Sequence, residues 1–195
     1  MTDEFTGLIF DCDGTLTDSM PLHYVAWRDT LQRYQIVFPE DRFYAMGGMP
    51  SHTIVEILAA EHGFRVDAMA VGLEKEDEFL RVMAELKPVD WVCEIAKQNH
   101  GKKSMSVASG GFRDIVRAQL ELIAMNSFFE ILVAAEDTDR HKPEPDVFLE
   151  AAKRMGVPPS ECLVFEDSPL GFQAARSAGM AWIDVRDRAN VVQRP

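Results

Sequence analysis

Cysteine is scarce in this 195-residue chain: Cys12, Cys93 and Cys162 are odd in number and lie in or beside apolar stretches. They argue against a disulfide framework and predict small core residues in a reducing compartment, so a cytoplasmic location is expected. Long hydrophobic runs are missing too. No uninterrupted apolar stretch is long enough to span a bilayer, and Met1-Thr2-Asp3-Glu4-Phe5 has no basic region followed by an apolar core. The expectation is a soluble, unprocessed chain with no membrane partner. Positive charge is in deficit: the formal net charge of −12 argues against a broad nucleic-acid or anionic-membrane surface, because both require clustered Lys and Arg. A small anionic substrate then needs a local cation, which favours a bound metal among so many carboxylates. Tandem repeats, low-complexity tracts and a P-loop are also absent; Gly101-Lys102-Lys103-Ser104 lacks the earlier glycine that loop requires. The acidic surface fits a monomer.

What is present is an apolar content of 47%, ample for a hydrophobic core. Residues 6–11 read as a strand that ends abruptly on Asp11-Cys12-Asp13-Gly14-Thr15. From Pro21 to about Leu86 the apolar period is helical. A first helix begins with Leu22, Val25, Ala26, Asp29 and Leu31, a second is capped by Ser51, and a third runs over residues 73–86. From Pro88 onward helices and strands alternate. Strands are predicted at 104–108, 131–134, 162–165 and 180–184, and helices at 89–98, 112–123, 146–155 and 169–178. This pattern predicts an α/β fold: a Rossmann-like parallel sheet core with a small all-helical cap inserted after the first strand. The core takes residues 1–17 and 87–195 and the cap residues 18–86, joined by linkers at 17–21 and 86–88 that allow the cap to open and close.

Ligands in open α/β sheets sit beyond the carboxyl ends of the strands, where this reading puts every polar cluster. Asp11 is the candidate nucleophile toward phosphorus, an attack that requires charge neutralisation more than a strong base. Asp13, two residues on, is the candidate acid and base for the leaving alcohol and the incoming water. Ser109, with Gly110 and Gly111 at a helix start, suits phosphate oxygens. Lys142 stands in His141-Lys142-Pro143-Glu144-Pro145, which predicts a stiff, extended approach and a lysine able to bridge carboxylate and phosphate. Glu166 and Asp167 follow an apolar strand, with Ser168 placed to cap the next helix. Asp11, the Asp13 backbone carbonyl, Asp167 and, less strongly, Glu166 supply hard oxygens suited to octahedral Mg²⁺.

Together Asp11-x-Asp13-Gly14-Thr15, Ser109, Lys142 with its prolines, and Glu166-Asp167 resemble the four ordered motifs of the haloacid dehalogenase-like hydrolases, over residues 8–186. The helical segment with Leu22-His23-x-x-x-Trp27 is similar to the β-phosphoglucomutase and sugar-phosphate phosphatase branch, and within it to the bacterial fructose-1-phosphate phosphatase type. The resemblance implies an aspartyl-phosphate intermediate, Mg²⁺, and a small phosphorylated sugar as substrate. It also implies that cap residues His23, Gly48 and Lys75 face the substrate. Where the mutases carry an arginine for a distal phosphate, this chain reads Met49-Pro50-Ser51-His52, with Lys75 a partial substitute. Trp27, Phe43, Met46 and Met49 read as packing. A phosphatase is therefore expected, with a β-phosphoglucomutase-like phosphotransferase and a non-catalytic phosphosugar-binding protein as the alternatives.

Overall fold

In the computed structural model, which describes residues 2–187 and 189–195, five short strands form one parallel sheet. Met1 and Arg188, both inside the expected core boundaries, lie outside the described residues. The strands are Gly7–Phe10 (β1), Ser104–Ala108 (β2), Ile131–Val133 (β3), Cys162–Glu166 (β4) and Ala181–Asp184 (β5), in the order β3-β2-β1-β4-β5. β1 lies in the middle with Gly7 opposite Ser104 on one side and Cys162 on the other. All four of its residues are buried, which is why it reads as a continuous apolar run instead of an alternating one.

Successive side chains of the central strands point to opposite faces and build two cores. Leu8, Phe10, Leu163 and Phe165 pack under Asp90–Asn99 (which becomes α5 in chain order) and Arg113–Leu122 (α6), through Val92, Ala96, Val116 and Leu120. Ile9, Val164 and Ala108 pack under Asp146–Met155 (α7) and Pro169–Ser177 (α8), through Phe148, Ala151 and Ala174. The result is the expected α/β sandwich of helices on both faces of a parallel sheet.

Between β1 and α5 come four helices: Met20–Gln32 (α1), Glu40–Ala45 (α2), Ser51–His62 (α3) and Ala68–Val82 (α4). They enclose a third core of their own, with Trp27, Leu31, Phe43, Ile54, Leu58 and Val71 inside. The two connections between this helical block and the sheet run side by side. The Asp18 amide donates to the Lys87 carbonyl at 2.8 Å and the Val89 amide to the Leu16 carbonyl at 2.9 Å.

Local chemistry accounts for most boundaries and corrects several expectations. Asp67 caps α4 by accepting from the Ala70 amide, so that helix begins earlier than expected, and a 3₁₀ turn at Met83–Glu85 ends it before Leu86. Ser51 is the first residue of α3 and not its cap; Pro50 holds the capping position, and the Ser51 hydroxyl donates instead to Glu76. The six-residue α2 is too short for a 3.6-residue period to register in the sequence. The Lys142 segment turns where extension was expected, with the Glu144 amide donating to the His141 carbonyl at 2.9 Å.

Phe10 is fully buried, stacked on Phe165 with 4.6 Å between ring centroids and edge-on to Phe129 at 5.4 Å. Phe10→Ala is expected to remove about 3–5 kcal/mol of stability, read from urea denaturation of the full chain. An unchanged midpoint would contradict this packing.

Candidate active site

The chain passes from β1 outward to β2 and β3, then crosses back to β4 and β5, so the strand order reverses at β1. Loops leaving the carboxyl ends of β1, β2 and β4 diverge there and open a crevice. Asp11 follows β1, Ser109 follows β2, Glu166 ends β4 with Asp167 next, and Lys142 arrives on the connection from β3 to α7. The Asp11 amide still donates to the Phe165 carbonyl at 3.0 Å, so the sheet's hydrogen bonding continues past the strand end and fixes the carboxylate's direction.

Lys142 joins two of these groups. Its ammonium donates to Asp11 Oδ1 at 2.6 Å and to Glu166 Oε2 at 2.7 Å, all three side chains being buried. The other Glu166 oxygen accepts from the Asp167 amide, the Ser168 amide and the Ser168 hydroxyl, at 2.8–3.0 Å. Glu166 thus anchors both Lys142 and the turn into α8, where Ser168 accepts from the Gly171 amide as the expected cap. Gly14, with φ of +78°, lets the chain turn back under Asp167; a Cβ there would fall 2.3 Å from Asp167 Oδ2.

One ammonium cannot neutralise three buried carboxylates. Burial pushes the Asp11 carboxyl up to about 8, helped by the charges of Glu166 and Asp13 and opposed by Lys142. Burial, then Glu166 and Asp11, push Asp167 well above the usual carboxylate range. For Glu166 burial is outweighed by Lys142 and the Ser168 donors, which hold it below its ordinary value. Asp11, Glu166 and Asp167 each offer an oxygen within 4.8 Å of the others. An all-oxygen donor set carrying an excess of negative charge fits a hard divalent cation.

Asp13 belongs to a second network. Its Oδ1 accepts from Ser19 Oγ and His23 Nε2, both at 2.7 Å, and from Gln119 Nε2 at 2.9 Å. Burial alone would raise this carboxyl, but the His23 ring and these donors outweigh burial and hold it well below the usual range. His23 Nδ1 lies 2.7 Å from Lys75 Nζ. An ammonium only donates, so Nδ1 accepts and the ring proton sits on Nε2, facing Asp13. The ring stacks on Phe79 at 3.7 Å, which fixes its plane. Lys75 in turn donates to both Glu76 oxygens at 3.2 Å, and Ser51 Oγ donates to Glu76 Oε1 at 2.6 Å.

All ten residues expected at the site fall around this crevice. Asp11, Asp13, His23, Gly48, Lys75, Ser109, Gly110 and Asp167 line one cleft, and Lys142 and Glu166 lie directly behind Asp11. Ser109 is buried and its hydroxyl accepts from the Gly111 amide at 3.0 Å. Gly110 meets the helical block so closely that a Cβ would lie 2.4 Å from the Gly48 carbonyl oxygen, leaving room for no side chain. Trp27, Phe43, Met46 and Met49, expected only to pack, also form a wall of the cleft.

Sequence reasoning passed over Ser19, Gln119 and Glu76. Gln119 carried a legible signal, since it is a polar residue on the apolar face of α6 between Val116 and Leu120. Ser19 looked like an ordinary linker serine, and Glu76 like one more charge in Glu74-Lys75-Glu76-Asp77.

Comparison with known proteins agrees with this geometry. The sequence model for haloacid dehalogenase-like hydrolases matches residues 5–179. Fructose-1-phosphate phosphatase YqaB of Escherichia coli (strain K12) is 37% identical over 187 residues, covering 95% of this chain and 99% of that one. Beta-phosphoglucomutase of Bacillus subtilis (strain 168) is 26% identical over 192 residues, covering 91% and 82%. Among solved structures, a hydrolase from Pseudomonas syringae superposes with a TM-score of 0.84 at 26% identity, covering 95% of this chain and 88% of that one. With its ordered carboxylates and lysine gathered at the reversal point of a parallel sheet, the chain belongs to the haloacid dehalogenase-like hydrolases and is an enzyme of that family.

Proposed function

We propose that this enzyme is a Mg²⁺-dependent phosphatase of small sugar phosphates resembling fructose 1-phosphate, working through an aspartyl-phosphate. The observation that carries the reading is the convergence on one cleft of Asp11, paired with Lys142, and Asp13, cradled by its own separate donors. Two neighbouring carboxylates kept in different electrostatic surroundings suit two different roles. The name of the Escherichia coli relative supports the substrate class.

In the first half of the reaction an Asp11 oxygen forms a bond to phosphorus as the bond from phosphorus to the sugar oxygen breaks. Asp13 gives that oxygen its proton. Ser19, His23 and Gln119 keep Asp13 an acceptor in the resting site, so delivering a proton requires the carboxyl to leave that cradle, where burial then favours its protonated form. In the second half water attacks phosphorus, Asp13 takes the water's proton, and Asp11 is regenerated. Lys142 draws charge from the phosphoryl oxygens and keeps Asp11 aimed, while Ser109 and the Gly110 backbone hold the transferring group. Asp11, Asp167 and the Asp13 carbonyl, with Glu166 behind them, would hold Mg²⁺, which when bound would supply positive charge between the two anions. The helical block, residues 18–86, acts as a cap over the core of residues 1–17 and 87–195, excluding water while the ester is attacked. We take the chain to work as a monomer in the cytoplasm.

A phosphate-ester panel with Mg²⁺ should show phosphate release greatest on sugar monophosphates; release from no member would favour a phosphosugar-binding protein. With β-glucose 1-phosphate and a trace of its 1,6-bisphosphate, free phosphate should exceed glucose 6-phosphate, and the opposite outcome would establish a phosphotransferase. Asp11→Asn should lower kcat by at least about 10⁴-fold while Mg²⁺-dependent binding of a phosphate analogue stays detectable by calorimetry. Turnover equal to wild type would remove Asp11 as nucleophile.

The cation also carries a pH signature. Below about 8 the Asp11 carboxyl holds a proton that the cation must displace, so Mg²⁺ affinity should fall as pH drops from 8 to 6 and level off above. Calorimetry in buffers of different ionisation enthalpy should register proton release on binding at pH 7, and no release would contradict the raised carboxyl. Removal of the cation with EDTA should abolish turnover, with recovery on adding Mg²⁺.

A further inference from the structure

The cleft that Asp11 lines reaches into the helical block, and there it presents a carboxylate. Glu76 is only 6% exposed and lines the cleft beside Ser51 and Ile54. Its neighbours Asp77 and Glu78 on the same helix do not line that cleft. Both Glu76 oxygens accept from Lys75, and Oε1 also accepts from Ser51. The pair therefore brings no net positive charge to this wall, and Lys75 is committed twice, to Glu76 and through His23 to Asp13.

A carboxylate has about four acceptor sites and no donor. With Ser51 and Lys75 engaged, Glu76 can still accept from a sugar hydroxyl, which has a proton to give. A second phosphate, largely dianionic at neutral pH, has none and meets like charge in a desolvated site. Such a group needs a free cation, and among the described residues the one lysine or arginine lining this cleft, Lys75, is already neutralised by Glu76.

We propose that Glu76 is a specificity-determining residue that rejects substrates carrying a second phosphate and accepts monophosphate esters whose far end is neutral and hydroxylated. This rests on the phosphatase reading and narrows its substrate class. It also assigns Lys75 to positioning His23 and not to holding a distal phosphate, the role open to it from sequence alone.

The test uses the full chain with saturating Mg²⁺, wild type and Glu76→Gln. A hexose 1-phosphate is compared with the same hexose carrying phosphates at carbons 1 and 6, both followed at the carbon-1 ester. Wild type should prefer the monophosphate in kcat/KM by about 100-fold or more, and Glu76→Gln should cut that preference at least about tenfold, chiefly through a lower KM for the bisphosphate. Glu76→Asp, which keeps the charge, should retain most of the preference. General damage to the cap lowers both substrates together and leaves the ratio unmoved, so an unchanged ratio in Glu76→Gln overturns the inference. If that variant does not fold, wild type decides: the bisphosphate should compete with monophosphate hydrolysis at least about 100-fold more weakly than the monophosphate's own KM, and equal competition overturns the inference. Wild type hydrolysing neither ester would instead remove the phosphatase reading beneath it.

Discussion

The ammonium of Lys142, shared between Asp11 and Glu166 at 2.6 and 2.7 Å, is the interaction on which the rest of this site depends. Burying carboxylates is costly, and this crevice buries Asp11, Glu166 and Asp167 within reach of one another. The protein relieves the strain unevenly. Glu166 receives Lys142 and three donors from the start of α8 and is stabilised as an anion, whereas Asp11 and Asp167 are left with an unbalanced affinity for positive charge. That imbalance leaves an all-oxygen crevice with excess negative charge, a donor set that fits a hard divalent cation. The sheet makes it tolerable, since hydrogen bonding between β1 and β4, continued by the Asp11 amide to the Phe165 carbonyl, holds Asp11 beside Glu166.

A second constraint links the two bodies. Asp13 belongs to the core, yet two of its partners, Ser19 and His23, come from the connection and first helix of the helical block, and the third, Gln119, comes from α6. The chain continues from His23 to Lys75, Glu76 and Ser51, across α1, α4 and α3. Asp13 therefore takes two of its three donors from the helical block and the connection into it. The close approach of Gly110 to Gly48 sets how near the two bodies come. The paired backbone at Asp18 with Lys87 and at Leu16 with Val89 ties the two connections together.

Much of this was legible because local rules and global fold agree. Strand ends fall at Asp11, Ser109 and Glu166 because these buried parallel strands are mostly apolar and the chain turns polar where they finish, β4 closing on Glu166 itself. Helix starts at α7 and α8 follow from Pro and Ser chemistry that acts over three or four residues. The errors lie where a residue has two local uses. Ser51 satisfies the pattern of a helix cap, but Glu76 from another helix offers its hydroxyl an acceptor and takes it. The stiff run around Lys142 turns because its lysine is drawn inward to two carboxylates distant in sequence.

By itself the sequence determined the parallel sheet, the all-helical segment after its first strand, and the identity and order of the groups at the strand ends, since those features depend on periodicity and on chain direction. Which charges are buried was decided only in three dimensions. Lys75 and Glu76 sit in a run of charged residues on α4, and nothing local separates them from Glu74 or Asp77. Packing of α1, α3 and α4 around Trp27 and Phe79 turned one face inward and committed the lysine to His23, the glutamate to Ser51 and the cleft. Electrostatic roles of that kind arise from desolvation, and desolvation is a property of the assembled fold and not of any segment of the chain.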